Sequence, residues 1–153
     1  MFVLYIIMNQ DISNFIKENK IASIACVDAH NKPYSFNCFY VFDDKNFLLF
    51  FKSSLNTHHS KILANNPHVS GCILPDRLDF ISLKGIQFTG TILKTYPDNL
   101  NPEIFYHKKL PLALAKPGHV WFIQLEMVKM SDNTNVFGKK LRWERPAWYE
   151  YSS

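Results

Sequence analysis

The chain has 153 residues and a formal net charge of +4; 47% of its residues are hydrophobic and 20% are charged. This balance excludes a disordered or fibrous protein, because such chains are poor in apolar residues or repetitive in composition. The length fits a single domain, residues 1–153, with one hydrophobic core. The modest positive charge suits an anionic small ligand, while basic residues near the C-terminus leave nucleic acid open as a partner.

The cysteines and the N-terminus indicate where the protein works. Cys26, Cys38 and Cys72 are far apart and follow no secretory leader, so we expect a cytoplasmic protein with reduced thiols. The opening residues 1–8, MFVLYIIM, are apolar but too short to span a membrane. They are expected to be either an extra edge strand or a consequence of start-codon choice, since Met8 directly precedes a predicted helix.

The predicted elements follow in chain order. Ile12, Phe15 and Ile16 recur at helical spacing behind Asn9, a residue suited to capping, and they predict a helix at residues 9–18. The other predicted elements are strands at 21–27, 34–42, 47–51, 69–74, 80–93 and 121–130, a helix at 56–65, and short helical stretches at 103–109 and 111–117.

Two features of the strands indicate how they assemble. Residues 47–51 are apolar on both faces, which is typical of a strand inside a closed or covered sheet. Gly85 and Gly90 predict bulges or close backbone approach, as at a barrel corner. The sequence therefore predicts a mainly β (α+β) fold, a six-stranded antiparallel β-barrel with flanking short helices. A β-sandwich remains the alternative, because few glycines are present for tight hairpins.

Several classes of site are excluded by spacing. The chain has no G-x-G-x-x-G or G-x-S-x-G motif, and Gly90 is followed by Thr91 and Ile92 instead of the residues of a phosphate loop. His58 and His59 are adjacent, so they cannot share one face of a helix as metal ligands must. No metal site is predicted.

The start of the helix at 56–65 carries the main indication of function. Thr57, His58 and His59 form its first turn, and Ser53 and Ser54 directly precede it. A helix N-terminus has unpaired N–H groups and a partial positive charge, so potential cations there are unfavourable unless an anion binds among them. A phosphate group would satisfy the N–H groups, hydroxyls and imidazoles together. The duller interpretation is that Thr57 only caps the helix and the histidines lie on its surface.

Four segments resemble the pyridoxamine 5'-phosphate oxidase-like split barrels, and in particular a small uncharacterised bacterial subgroup. They are FNCFYVFDDKNFLLFFK, NTHHSKILANNPHVSG, ISLKGIQFTGTI and WFIQLEMVKMSDNTNVFGKKLRWER, and they extend over residues 12–145. The resemblance implies a homodimer that binds FMN at the subunit interface and acts as a flavin-dependent oxidoreductase on an unidentified small molecule. It also implies that the basic, aromatic segment 132–153, with Phe137, Leu141 and Trp143 among its charges, packs on the partner subunit.

Residue by residue, the resemblance assigns a set of cofactor contacts. Ser53 and Thr57 fall on hydroxyl positions near the ribityl phosphate, and His58 and His59 replace the Arg-Lys pair that ordinarily binds it. Gln87 is similar to a strand residue that the neighbouring subunit offers to the cofactor. The strand that passes the flavin ring contributes Asn37, Cys38, Phe39 and Tyr40, with Asn37 where the oxidases have a phosphate-binding Arg.

The histidines lead to an expectation about pH, and two alternative functions stay open. Imidazole titrates near pH 6.5, so we expect FMN to bind more tightly at about pH 6 than at about pH 8. The first alternative is a haem-binding or haem-degrading barrel with His107 or His119 as the iron ligand. The second is a barrel that binds single-stranded nucleic acid through aromatic side chains and basic residues such as Lys140, Arg142 and Arg145.

Overall fold

The computed structural model describes residues 7–77, 83–96, 101–134, 138–147 and 149. Within these ranges no helix combines the length and apolar character needed to cross a membrane. The helices are α1 (Gln10–Glu18), α2 (His58–Asn65), α3 (Pro102–Lys109) and a 3₁₀ helix (Pro111–Ala115). The strands are β1 (Ile21–Val27), β2 (Pro33–Asp43), β3 (Leu48–Ser53), β4 (His68–Ile73), β5 (Lys84–Ile92), β6 (His119–Asp132) and β7 (Lys139–Glu144).

The strands form a closed antiparallel barrel. Six of them lie in the order β3-β2-β1-β4-β5-β6, and β3 also pairs with β6 to complete the circle. This confirms the predicted six-stranded barrel and excludes the sandwich. Strand β6 is long enough to serve two partners on one edge: residues 119–124 pair with β3, and residues 127–132 pair with β7.

The burial of β3 on both faces was predicted and is confirmed. Leu49 and Phe51 point into the barrel and belong to its main core, whereas Leu48 and Phe50 point outward. The outward side chains are covered by α3, whose Tyr106 is buried against them. The long connection between β5 and β6 therefore packs on the outside of the barrel as a second, smaller core.

Helix α1 lies as the sequence predicts. The Asn9 side chain accepts a hydrogen bond from the Asp11 backbone N–H at 2.8 Å and so caps the helix. Ile12, Phe15 and Ile16 are buried in the barrel core, and Met8 joins them. Residues 1–6 lie outside the described residues, as does the start of the predicted strand at 80–93, so the proposals for these parts of the chain stay predictions.

Strand β7 is an addition to the predicted elements. Residues 139–144 pair with β6 of the same chain, and Trp143 is buried in the barrel core. Because KKLRWE is dominated by charged side chains, its strand character was hidden in the sequence. Phe137 lies outside the described residues. The packing of the C-terminal segment on a second copy stays a prediction.

The two predicted special glycines of β5 differ from each other. The register between β5 and β6 shifts at Thr89/Gly90, and a Cβ on Gly90 would lie 2.6 Å from the Gln124 carbonyl oxygen. This confirms a bulge with close backbone approach. At Gly85 the register is regular, and an added Cβ would only reach ordinary contact, 3.4 Å from Leu74 Cδ2.

We therefore expect Gly90→Ala to destabilise the protein and Gly85→Ala to leave it nearly unchanged. The first substitution forces a methyl group against backbone, which typically costs about 1 to 3 kcal/mol. The second is the matched control, because its methyl group would lie in ordinary contact with Leu74 Cδ2 at 3.4 Å and with the Ile73 carbonyl oxygen at 3.8 Å. Urea unfolding measures both free energies of unfolding. Equal stability of the two variants would contradict the close approach at Gly90.

Candidate functional site

A cavity of about 530 Å³ lies at the end of β3, within the size range of sites for cofactors and other small molecules. The neighbouring part of β2, the first turn of α2 and the connection formed by α3 and the 3₁₀ helix complete its wall. Its lining residues are Phe36, Asn37, Cys38, Phe39, Lys52, Ser53, Ser54, His59, Tyr106, Leu110, Leu112, Ala113, Lys116 and Pro117. None of these lining residues is an aspartate or glutamate, so the cavity favours an anion.

Six of the ten predicted cofactor contacts line this cavity, and four do not. Those that line it are Asn37, Cys38, Phe39, Ser53, Ser54 and His59. Tyr40 is buried in the barrel core, and its hydroxyl donates to the Ile16 carbonyl at 2.6 Å. Gln87 lies on β5 beside a separate hollow of about 150 Å³, so its predicted contact would have to come from another copy of the chain. The roles of all ten residues stay predictions.

The side chain of Thr57 makes hydrogen bonds at the start of α2. Its Oγ1 accepts a hydrogen bond from the Ser60 backbone N–H at 3.2 Å and lies 2.7 Å from Ser60 Oγ. Ser60 Oγ in turn donates to the Ser54 carbonyl at 2.8 Å. This is the capping role that the sequence left open for Thr57. The side chain of Thr57 therefore shapes the turn between β3 and α2 and does not line the cavity.

His58 and His59 diverge because successive residues of a helix point in different directions. His58 is exposed, and its ring meets Tyr34 edge-on at 4.7 Å. His59 faces the cavity, with its Nε2 2.7 Å from Ser53 Oγ and its ring stacked on Phe36 at 3.8 Å and 8°. Of these two histidines, His59 is the one placed to contact a ligand in this cavity.

The environment of His59 favours the neutral imidazole. Its pKa is lowered from the ordinary value of 6.5, first by burial and then by repulsion from the neighbouring His58. A neutral ring can exchange hydrogen bonds with Ser53 Oγ, and it gains a positive charge when the pH falls. His59 is thus a polar contact at neutral pH and a cation at lower pH.

Lys52 is a cavity residue that the sequence-based prediction did not include. It is half-buried, and its Nζ donates to the Ala113 carbonyl at 2.9 Å and to His107 Nε2 at 3.0 Å. These contacts connect β3 to the 3₁₀ helix and to α3. Its position in the sequence could have indicated it, because Lys52 directly follows LLFF, a strand segment that is buried on both faces.

Two titratable side chains of the cavity, Cys38 and Tyr106, are held in their protonated forms. Burial raises the pKa of the Cys38 thiol to about 12 and also raises the pKa of Tyr106. Both groups therefore stay protonated, and Cys38 does not act as a thiolate nucleophile. Among the described residues, no group of three or more His, Cys, Asp or Glu side chains is placed to hold a metal ion.

Comparison with other proteins shows the family. No family model matches the chain. A UPF0306 protein of Photorhabdus laumondii is 31% identical over 121 residues, which cover 78% of this chain and 85% of that protein. A UPF0306 protein of Haemophilus ducreyi is 31% identical over 137 residues, 88% of this chain and 93% of that protein. The chain belongs to the UPF0306 family.

Solved structures similar to this UPF0306 protein share its fold at low identity. A haem-binding protein from Mycobacterium smegmatis has a TM-score of 0.70 at 14% identity; the match covers 85% of this chain but only 55% of that protein. A pyridoxamine 5'-phosphate oxidase-related FMN-binding protein from Nostoc punctiforme has a TM-score of 0.66 at 12% identity, with 94% and 93% covered. The haem storage protein HutZ from Vibrio cholerae has a TM-score of 0.57 at 18% identity, with 78% and 89% covered. These matches confirm the predicted split-barrel fold.

We expect NMR titration to give His59 a pKa below 6.5, and we expect Phe36→Leu to raise that pKa toward its ordinary value by exposing the ring to water. Because the unfolded chain takes up this proton first, the free energy of unfolding should fall as the pH drops below 6.5 toward the lowered pKa. The stability loss should level off once His59 is also protonated in the folded state. A His59 pKa at or above the ordinary value in the folded protein would contradict this account of its environment.

Proposed function

We propose that this protein binds FMN in the cavity at the end of β3 and uses it as a flavin-dependent oxidoreductase acting on a small molecule. The observation that carries the proposal is the composition of the cavity wall. Hydroxyls, an imidazole and two lysines line one cavity together with apolar side chains, and none of the described lining residues is a carboxylate. A phosphorylated aromatic cofactor presents the matching combination of an anion and a flat ring.

The backbone of β2 fits the polar edge of such a ring. On one edge, β2 pairs with β1 over residues 33–39, but on its other edge it pairs with β3 only from Tyr40 to Asp43. Asn37, Cys38 and Phe39 therefore have a sheet edge that β3 does not cover, and all three line the cavity. An open strand edge presents backbone N–H and C=O groups that are not hydrogen-bonded within the sheet and can bind a ligand. The resemblance assigned this same stretch to the flavin ring.

The polar end of β3 fits the phosphate. Ser53 and Ser54 supply hydroxyl groups, and His59 supplies a ring nitrogen that already lies 2.7 Å from Ser53 Oγ. A bound flavin supplies the redox chemistry, while the protein binds it and selects the substrate. The residues of this chain would hold the cofactor, and Cys38 and Tyr106 add no negative charge beside its phosphate because they stay protonated at neutral pH.

The exposed apolar side chains around the cavity support a homodimer with the cofactor at its interface. Leu112 is 91% exposed and Phe39 58% exposed, and both line the cavity. Leu55, at the hollow next to it, is 60% exposed. Apolar groups of this size are stabilised by burial against another surface. A second copy would bury them, enclose the ring and bring in Gln87.

Haem binding is the second candidate, and His119 is the residue that favours it. An iron ligand needs an available ring nitrogen. His107 Nε2 lies 3.0 Å from Lys52 Nζ and His59 Nε2 lies 2.7 Å from Ser53 Oγ, so both are engaged. His119 is exposed beside a hollow of about 490 Å³ that shares Ser54 with the main cavity. The absorbance spectrum of the purified protein separates flavin from haem.

Binding of nucleic acid is disfavoured by how the basic C-terminal residues are used. Lys139 pairs with Asp11 at 3.4 Å, and Arg142 pairs with Glu144 at 2.6 Å. Arg145 donates to the carbonyl oxygens of Leu125, Asn46 and Phe47. These charges are directed at the protein itself, whereas nucleic acid needs cations that reach phosphates in solution.

We expect the protein to bind FMN with a flavin absorbance spectrum and to bind riboflavin more weakly by at least about tenfold, since charge-assisted hydrogen bonds to the phosphate are worth about 1.5 to 3 kcal/mol each. Titration of flavin fluorescence measures both affinities, and haem is titrated in parallel by its Soret band. Failure to bind FMN, or saturable binding of haem alone, would contradict the proposal.

The same titration carries a test of pH dependence. His59 gains charge as the pH falls, so the affinity of the wild type relative to His59→Gln should rise between about pH 8 and about pH 6. The comparison is needed because the phosphate of FMN also titrates near pH 6, and it does so equally with both proteins. A ratio that does not change with pH would show that His59 makes no contact with the phosphate.

We expect Leu112→Glu to weaken both dimerisation and FMN binding, because it places a charge on the apolar surface that the second copy is proposed to cover. Sedimentation velocity measures the subunit number, and native mass spectrometry reports subunit number and bound cofactor together. Ile7→Glu is the matched control, because Ile7 is 77% exposed but does not line the cavity. A wild-type monomer that retains FMN would contradict the interface.

A further inference from the structure

We propose that Lys52 supplies the fixed positive charge that binds the phosphate of the cofactor, an inference that rests on the FMN binding proposed above. The sequence assigned this role to the histidines at the start of α2. The structure distributes those residues differently, since Thr57 caps its own helix and His58 does not line the cavity. We therefore place the proposed anion site at the end of β3 and not at the start of α2.

The hydrogen bonds of Lys52 leave capacity for a ligand. An ammonium group has three N–H donors and no acceptor. Two are directed at the Ala113 carbonyl and at His107 Nε2. Because the ammonium cannot accept, it is the donor in both of these contacts. The third donor is therefore left for an oxygen atom of a ligand in the cavity.

The charge of Lys52 has no compensating carboxylate in the part of the chain that the structure describes. Lys17, Lys84 and Lys139 each pair with an aspartate. Lys52 is half-buried instead, neither of its two hydrogen-bond partners is a carboxylate, and no described acidic residue lines its cavity. A partly buried cation is unfavourable without an opposite charge. A dianionic phosphate provides that charge.

Lys52 lines the same cavity as the other proposed phosphate contacts, Ser53 and His59. The backbone at Gly118 lies close to the stem of Lys52, since an added Cβ there would lie 3.2 Å from Lys52 Cγ. Side chains alternate along a strand, so Lys52 and Ser53 would approach a phosphate from different sides. Of Lys52, Ser53 and His59, only the lysine contributes a charge that does not depend on His59 taking up a proton.

A purely structural role for Lys52 makes a different prediction. If Lys52 only connects β3 to α3 and the 3₁₀ helix, its loss should lower the affinity for every ligand of the cavity alike. If it binds the phosphate, its loss should lower the affinity for FMN and leave that for riboflavin, which lacks the phosphate, unchanged. His107→Leu separates the two roles, because it removes the hydrogen bond between Lys52 and α3 but leaves the lysine in place.

The experiment measures FMN and riboflavin affinities for the wild type, Lys52→Met, Lys52→Arg, His107→Leu and the matched control Lys61→Met, which removes an exposed charge of α2 outside the cavity. We expect Lys52→Met to lower the affinity for FMN by at least about tenfold and the affinity for riboflavin by less than about twofold, since the lost contact is a charge-assisted hydrogen bond. Lys52→Arg should restore most of the preference for FMN. His107→Leu and Lys61→Met should keep that preference unchanged.

The outcomes distinguish this inference from the proposed function. Equal weakening of FMN and riboflavin in Lys52→Met would overturn the inference and leave FMN binding intact. If the wild type binds no flavin, the proposed function fails, and thermal stabilisation by inorganic phosphate at constant ionic strength decides the inference instead. Stabilisation of the wild type that is lost in Lys52→Met would support the anion site, and no stabilisation of either protein would overturn it.

Discussion

The burial of β3 on both faces is the constraint on which the rest of the structure depends. Its inward side chains, Leu49 and Phe51, complete the barrel core, and pairing with β2 and β6 closes the barrel. Its outward side chains, Leu48 and Phe50, need a separate cover, which α3 supplies with Tyr106. The segment that bounds the cavity is therefore held in place by packing against the closing strand. The cavity exists because one strand has two apolar faces.

Unequal strand lengths then determine what the cavity contains. β2 runs from Pro33 to Asp43 but meets β3 only from Tyr40 onward, so the earlier part of β2 has an edge that β3 leaves uncovered. Helix α2 approaches this region, and the stack of His59 on Phe36 fixes its first turn against β2. Backbone groups of an open strand edge thus adjoin the polar end of β3. An apolar ring with a polar edge and an anionic tail matches this arrangement.

Much of the fold could be predicted because it depends on local patterns. The apolar run of β3, the capping residue Asn9 and the turn-forming residues between strands each act over a few positions, and they gave the order of the barrel elements. β7 was missed because its one buried aromatic, Trp143, stands among charged residues. Ser53, Ser54 and His59 were found because they are close in sequence. Lys52 was not, because its partner His107 lies 55 residues further along the chain.

The distribution of charge bears on the proposal that this protein binds a small anion and not a nucleic acid. In the C-terminal segment Lys139 and Arg142 pair with acidic side chains, and Arg145 donates to backbone carbonyls where β3, β6 and β7 meet. Arg145 stabilises the junction at which β6 passes from one partner strand to the next. The cavity retains Lys52 and Lys116 without a lining carboxylate. If FMN binds as proposed, its phosphate group would meet this positive charge.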